Sequence, residues 1–284
     1  MTERLADLNA RIDGIRQLGA VVRAMRGMAA ARAQQARGQL ASVDAYAATL
    51  AGAIGQALLL AGDDTRPAPA GPATRRALVV FCAEQGFAGP FSARLLDAAD
   101  LHDPLVDLFL VGSRGRMLAR ERGLRVIWSD AMPAQSQGIP KLAERICQAL
   151  YSRMATGDVG RLEALHGHSA LGQPMTVERL ALFPLDPAAF PRAGRRMPPL
   201  LNLPASALLA DLATDYVHAQ LCRAALHAFA AENEARMQAM ATAGGQIDRQ
   251  LGALQATQRI LRQDEITAEI IELAAGETAS RAGA

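Results

Sequence analysis

Aromatic residues make up only 4% of this 284-residue sequence, and cysteine occurs three times. No aromatic ring precedes Tyr46, so the basic N-terminal stretch lacks the stacking partners that single-stranded nucleic acid would need. Cys82, Cys147 and Cys222 are far apart and form no CxxC, which excludes a disulfide framework and points to a reducing compartment. Long hydrophobic runs are missing too. The N-terminus is amphipathic, unlike a signal peptide, and the longest apolar run near it, Ala57 to Ala61, is too short to span a bilayer. The chain is expected to be soluble and cytoplasmic, reaching a membrane only through a partner. A large charge of one sign is also absent: 30 basic against 28 acidic residues leave a net charge of +2, which argues against a nucleic-acid-binding protein as a whole. Proline is missing before Pro67 and after Pro204. No GxxxxGK[ST] loop occurs, so no phosphate-binding fingerprint marks a nucleotide site.

What remains is a helix-forming composition. Half of the residues are hydrophobic, with Ala, Leu and Arg dominant, the residues of best helix propensity. From Leu5, steps of three and four trace Leu8, Ile12, Ile15, Gly19, Val22, Arg26, Ala29, Ala33, Ala36, Leu40, Val43, Ala47, Leu50, Ile54 and Ala57. Only Gly19 and Arg26 break the apolar series, a heptad seam sustained for about eight heptads. Such a helix is roughly 85 Å long and must project from any compact body. The Pro/Gly-rich stretch Ala61 to Thr74 then predicts a loop.

Strands and helices alternate beyond it. Apolar runs at Ala77–Cys82, Leu105–Val111, Leu124–Trp128, Arg161–Leu165 and Val177–Phe183 predict five strands, with helices over Phe91–Ala99, Ser113–Arg122 and Ile139–Ala155. This order implies βαβ units around a mostly parallel sheet. The proline-rich stretch from Asp186 to Pro204 predicts a linker or irregular wrap. A last helix from near Ser206 can run about seventy residues, roughly 100 Å. Its seam comprises Met237, Met240, Gly244, Ile247, Leu251, Leu254 and Leu261, shifting phase to Ile266, Ile270 and Leu273, with a frayed tail from Gly276. The expected fold class is α plus α/β: a long antiparallel coiled coil of N- and C-terminal helices with an inserted small, Rossmann-like, five-stranded α/β domain. The expected division is 1–60, 75–200 and 206–276.

Sharper readings compete with plainer ones. Gly112-Ser113-Arg114-Gly115 after an apolar strand could cradle a phosphate, but without the full GxGxxG it reads as a tight strand-to-helix turn, as do Gly86 and Gly89. His166 and His168 could ligate a metal, but with no third ligand nearby they read as a solvated turn. Glu232 and Glu234 read as solvent-facing charge. Seven arginines in the first 37 residues (Arg4, Arg11, Arg16, Arg23, Arg26, Arg32, Arg37) form either a solvated face or a surface for an acidic partner. Arg26, a charge on the seam, costs stability unless paired and is expected where the seam meets a partner. Met25 and Met237 read as core or as an adaptable bearing surface. No catalytic, cofactor-binding or metal-binding residue is predicted.

Several segments resemble the gamma subunit of F-type ATP synthases. They are LNARIDGIRQLGAVVRAMRGMAAAR (Leu8–Arg32), VGSRGRMLARERG (Val111–Gly123), ENEARMQAM (Glu232–Met240) and RQDEITAEIIELAAG (Arg262–Gly276). They occur in the family's order along nearly the whole chain. The family's glycine-rich loop appears as AEQGFAGPF (Ala83–Phe91), keeping only Gly86 and Gly89. Arg26 replaces a usual acidic residue, and Ala256 and Thr257 replace Tyr-Asn. Such departures are those of a divergent branch, such as the second-copy ATPase of some bacteria.

The resemblance implies a central rotor shaft without catalytic residues of its own. It implies partners: alternating alpha and beta subunits around the helices, an epsilon subunit, and the membrane ring of c subunits beneath the globular part. Rotation would couple proton or sodium flow to ATP synthesis or hydrolysis. The implied location is the cytoplasmic face of a bacterial inner membrane, peripheral, through the rotor ring. Residues implied in contact with the alpha/beta ring are Arg23, Met25, Arg26, Arg236, Arg262, Gln263, Thr267 and Glu269. The rival readings are a stand-alone coiled-coil adaptor and an α/β enzyme dimerised by its helices.

Overall fold

The computed structural model describes residues 2–61, 75–101, 103–157, 159–169, 173–191 and 201–282. The loop expected over Ala61–Thr74 lies outside the described residues from 62 onward, as does 192–200 of the expected proline-rich wrap. The element order is α1 (Thr2–Ala61), β1 (Arg75–Phe81), α2 (Phe91–Asp97), β2 (Val106–Val111), α3 (Ser113–Glu121), β3 (Val126–Asp130), α4 (Ile139–Met154), β4 (Val159–His168), β5 (Thr176–Phe183) and α5 (Ala205–Ala282). Helix α5 continues through the stretch from Gly276 where fraying is expected.

The five strands form one sheet in the order β3-β2-β1-β4-β5. Pairing is parallel across β3, β2, β1 and β4, and antiparallel only for β5 on the edge. Parallel strands must be covered on both faces, so β1 from Ala77 and β2 from Leu108 are continuously apolar rather than alternating. Period two then deals β1 to two cores. Ala77, Val79 and Phe81 pack with Leu142, Ile146 and Leu150 of α4, Leu221, Ala225 and Phe229 of α5, and Ala36 of α1. Leu78, Val80 and Cys82 pack with Phe91, Leu95 and Leu96 of α2 and Ala119 of α3. Each fully buried Leu, Ile or Phe contributes about 1.5–3 kcal/mol of transfer free energy.

The chain divides into two units, 1–28 with 237–284, and 29–236. In the first, α1 and α5 run antiparallel: Gly19 lies against Ile247, and Gln258 donates a hydrogen bond to Asn9. Its core is Val22, Met240 and Ile247, with Ile15, Met25 and Ala243 packed against them. Arg26 is exposed, and the half-buried Met25 takes its expected place. The cause is geometric: a helix of 3.6 residues per turn drifts by about 20° per heptad against a 3.5 repeat, so a step of three from Val22 replaces a step of four. From Ile260 onward the large apolar residues turn outward, Ile260, Ile266, Ile270, Ile271 and Leu273 being 51–75% exposed.

In the second unit the helices are again antiparallel, with Arg37 beside Glu234 and Asp44 beside Arg223. Ala47 and Leu50 are buried with Ala219, Leu212 and Tyr216. Part of Arg4–Leu60 is long and apolar enough to cross a membrane by length and composition alone, at a mean hydropathy of 1.4. Of its apolar window, 28% is buried within the protein.

Candidate functional site

The strand-to-helix turn after β2 is built as a phosphate cradle and filled by the chain itself. Gly112 has φ of +104°, and a Cβ there would lie 2.4 Å from the Cys82 carbonyl oxygen. A Cβ on Gly115 would meet Cys82 Cβ at 2.1 Å, so only glycine lets α3 sit this close to β1. The N-terminus of α3 offers the donors that bind anions in related turns. Here Glu84 takes them: its carboxylate accepts from Ser113 N–H at 3.0 Å, the Ser113 hydroxyl at 2.6 Å and Met132 N–H at 2.9 Å. The charge complements the helix dipole and leaves no room for a phosphate oxygen on those donors.

The next layer joins this loop to α5. Glu232 accepts from the backbone N–H of Glu84 and of Gln85, both at 3.2 Å. Arg236, one turn on, pairs with Glu232 and donates to the Gly86 carbonyl at 3.1 Å and the Asn233 side chain at 3.0 Å. Glu234 pairs with Arg37 of α1. Glu232 and Glu234 are each 3% exposed, so the expected solvent-facing pair is instead buried. The reason is that α5 is enclosed here on more than one side: the loop after β1 covers Glu232, and α1 covers Glu234. Arg236, expected to touch a partner, is 5% exposed, and its guanidinium is committed within the chain.

The remaining residues implied in partner contact are placed as follows. Arg23 and Arg26 are exposed and Met25 is half-buried in the α1–α5 seam. Arg262, Gln263, Thr267 and Glu269 are exposed on α5, with the Thr267 hydroxyl returned to the Gln263 carbonyl at 2.8 Å. Alongside them stand the outward apolar residues Ile266, Ile270 and Ile271. The sequence reading did not single out Phe87. It is 66% exposed, in a loop where its own φ is +63°, a conformation bulky residues rarely adopt. Its glycine-flanked position, Gly86 to Gly89, was the available signal.

His166 and His168 are not in a solvated turn. β4 extends to His168 because it pairs with β5 through that residue, and His166 is 4% exposed. Both rings meet His227 of α5. Among the described residues, no group of three His, Cys, Asp or Glu is arranged to hold a metal ion. The three thiols are buried and inert in character: burial pushes Cys82 and Cys147 up to about 12 and Cys222 up to about 11.

Comparison with known proteins follows the same lines. The family model described as ATP synthase matches residues 4–279. The ATP synthase gamma chain of Moorella thermoacetica is 28% identical over 283 residues, covering 97% of this chain and 98% of that protein. That of a Parafrankia species is 28% identical over 305 residues, covering both chains completely. Among solved structures, a chain of the Euglena gracilis mitochondrial ATP synthase assembly of OSCP, F1 and c-ring superposes with a TM-score of 0.64 at 14% identity, covering 100% of this chain and 96% of that one. A chain of the Tetrahymena thermophila mitochondrial central stalk and c-ring gives 0.56 at 16% identity, covering 78% and 99%.

Proposed function

Because the chain belongs to the ATP synthase family, with gamma chains as its curated relatives, we propose that it is the central rotor shaft of an F-type ATP synthase. The observation that carries this is the plan itself: a five-stranded α/β sheet inserted between helices of 60 and 78 residues that pair antiparallel. The chain is part of the enzyme complex without supplying its chemistry; the filled cradle at α3 supports that reading. It sits at the membrane peripherally, on the cytoplasmic side in a bacterium, held there by a ring of c subunits.

The partners are alpha and beta subunits around the helices, epsilon, and the c-ring. Exposed Arg23, Arg26, Arg262, Gln263, Thr267 and Glu269 face the alpha/beta ring, with the outward apolar residues from Ile260 to Leu273 as the sliding surface. Torque entering at the sheet passes into α5 through the Glu232–Arg236 clasp on the 84–86 backbone, which joins loop to helix by charge-assisted hydrogen bonds in a buried setting.

The test is copurification from native membranes followed by hydrolysis assays. Tagged chain is expected to bring alpha and beta ATPase subunits in a complex whose ATP turnover drives ion transport. A chain that purifies alone, and whose loss leaves the membrane ATPase intact, would establish the stand-alone adaptor instead.

A further inference from the structure

Three imidazoles meet where β4 and β5 pack on α5, and the shaft reading assigns them no role. His166 and His227 stack with centroids 5.5 Å apart and planes 13° from parallel. His168 lies 4.7 Å from His227 by centroids, and their Nδ1 atoms face each other at 3.2 Å. Two facing lone pairs would repel at that distance, so one nitrogen carries a proton that the other accepts. The Nδ1–H of His166 is engaged by the Gly167 carbonyl at 3.3 Å, which leaves Nε2 bare in the neutral ring.

The charges around the cluster are unevenly provided. From β5, Glu178 places one oxygen 3.9 Å from His166 Nε2 and the other 3.7 Å from His168 Nδ1. From α5, Arg223 adds positive charge near His166 and His227, its own partner being Asp44 of α1 at 2.9 Å. From α1, Arg37 lines, with His168, His227, Gln34 and Ser169, a cavity of about 380 Å³ beside the rings, and its partner is Glu234 of α5. One half-exposed carboxylate, Glu178, therefore serves three imidazoles, while Arg223 adds positive charge. With all three rings neutral, a tautomeric N–H already fills the space between the two Nδ1 atoms. Any added proton therefore makes a cation in a partly desolvated site beside the other imidazoles.

We propose that this cluster is an acid-sensitive clasp, holding β4 to α5 while its rings are neutral and releasing it when they take up protons. The open side toward the cavity gives the proton its route. Burial, first, and the neighbouring imidazoles and Arg223 push His227 down to about 4, and burial pushes His166 down as well. For a histidine depressed in the folded state, stability is full above the unfolded value of 6.5 and is lost as pH falls toward 4. From His227 alone, the unfolding constant is expected to rise roughly thirty-fold between pH 7.5 and 5.

The test is urea unfolding of the full-length chain at both pH values, for wild type, His227→Phe and His168→Gln. His227→Phe keeps the stack and removes the titration, so its pH sensitivity is expected to be smaller than that of wild type by about that factor. Equal sensitivity in wild type and both variants overturns the proposal. Should the variants misfold, imidazole ¹³C shifts of the wild-type chain decide: His227 is expected to stay neutral at pH 5.5, and titration in the ordinary range overturns the clasp.

Discussion

At the scale of single residues, the buried ion pairs set the largest expected effects. Arg236→Ala leaves the Glu232 carboxylate buried without its partner, and is expected to cost about 3–5 kcal/mol in urea unfolding. Arg236→Lys is expected to recover little, since an ammonium cannot reach the Gly86 carbonyl, Asn233 and Glu232 with one planar fork. Asp107 gives the acid limb. Burial alone would raise its carboxyl, but hydrogen bonds and charge from Arg75 and Arg153 outweigh that and hold it below the ordinary value. A depressed carboxyl stabilises the fold above its unfolded value of 3.8 and loses that contribution as pH falls below it. Asp107→Asn is therefore expected to lower stability at pH 7 and to flatten its decline in acid, as read by thermal melts across pH 2–5. The sequence could not disclose these roles. The backbone N–H of Glu84 that Glu232 accepts from lies 148 residues away, and the Arg37 partner of Glu234 lies 197 away; a helical period reveals one buried face, not a second one closed by a loop.

At the scale of elements, the seams were the legible part. Period 3.5 located both long helices, and apolar β-branched runs located all five strands, because each stripe must be buried locally whatever its partner. Legibility failed where helix drift and strand pairing decide: Met25 rather than Arg26 on the seam, and β4 carried past Leu165 to His168 by β5. Ile247→Ala removes the residue that faces Gly19 and packs with Val22 and Met240. It is expected to destabilise the α1–α5 pairing by about 2–4 kcal/mol, seen as earlier loss of helical ellipticity on heating. The exposed polar residues of α5 behave oppositely. Arg262→Ala and Glu269→Ala touch no seam, so assembly of the ATPase complex is expected to survive while turnover and its coupling to ion transport fall. Mutant complexes with unchanged turnover and coupling would remove these two residues from the proposed contact.

At the scale of the whole molecule, the sheet has the layering of a nucleotide-binding fold but a carboxylate in the place of the phosphate. Calorimetry on the isolated chain is accordingly expected to show no micromolar ATP binding. A measured micromolar affinity would mean that ATP displaces Glu84 or binds elsewhere, and would reopen the enzyme reading. Glycines in the sequence suggested the turn, yet the identity of what fills it was hidden, since Glu84 lies 29 residues before Ser113 and nothing in local spacing links the two.

The pairing of Asn9 with Gln258 and of Arg37 with Glu234 joins residues 249 and 197 positions apart. On the ribosome, such separations become waiting times. At about 5–20 residues per second, α1 leaves the exit tunnel roughly ten to fifty seconds before the segment that covers its stripe is made. For that interval the first helix is a naked amphipathic rod, and the cell must either shield it or rely on the alanines of its stripe to be too small to aggregate. Quality control of this protein is thus a matter of translation order, with premature chain termination leaving the first helix permanently uncovered.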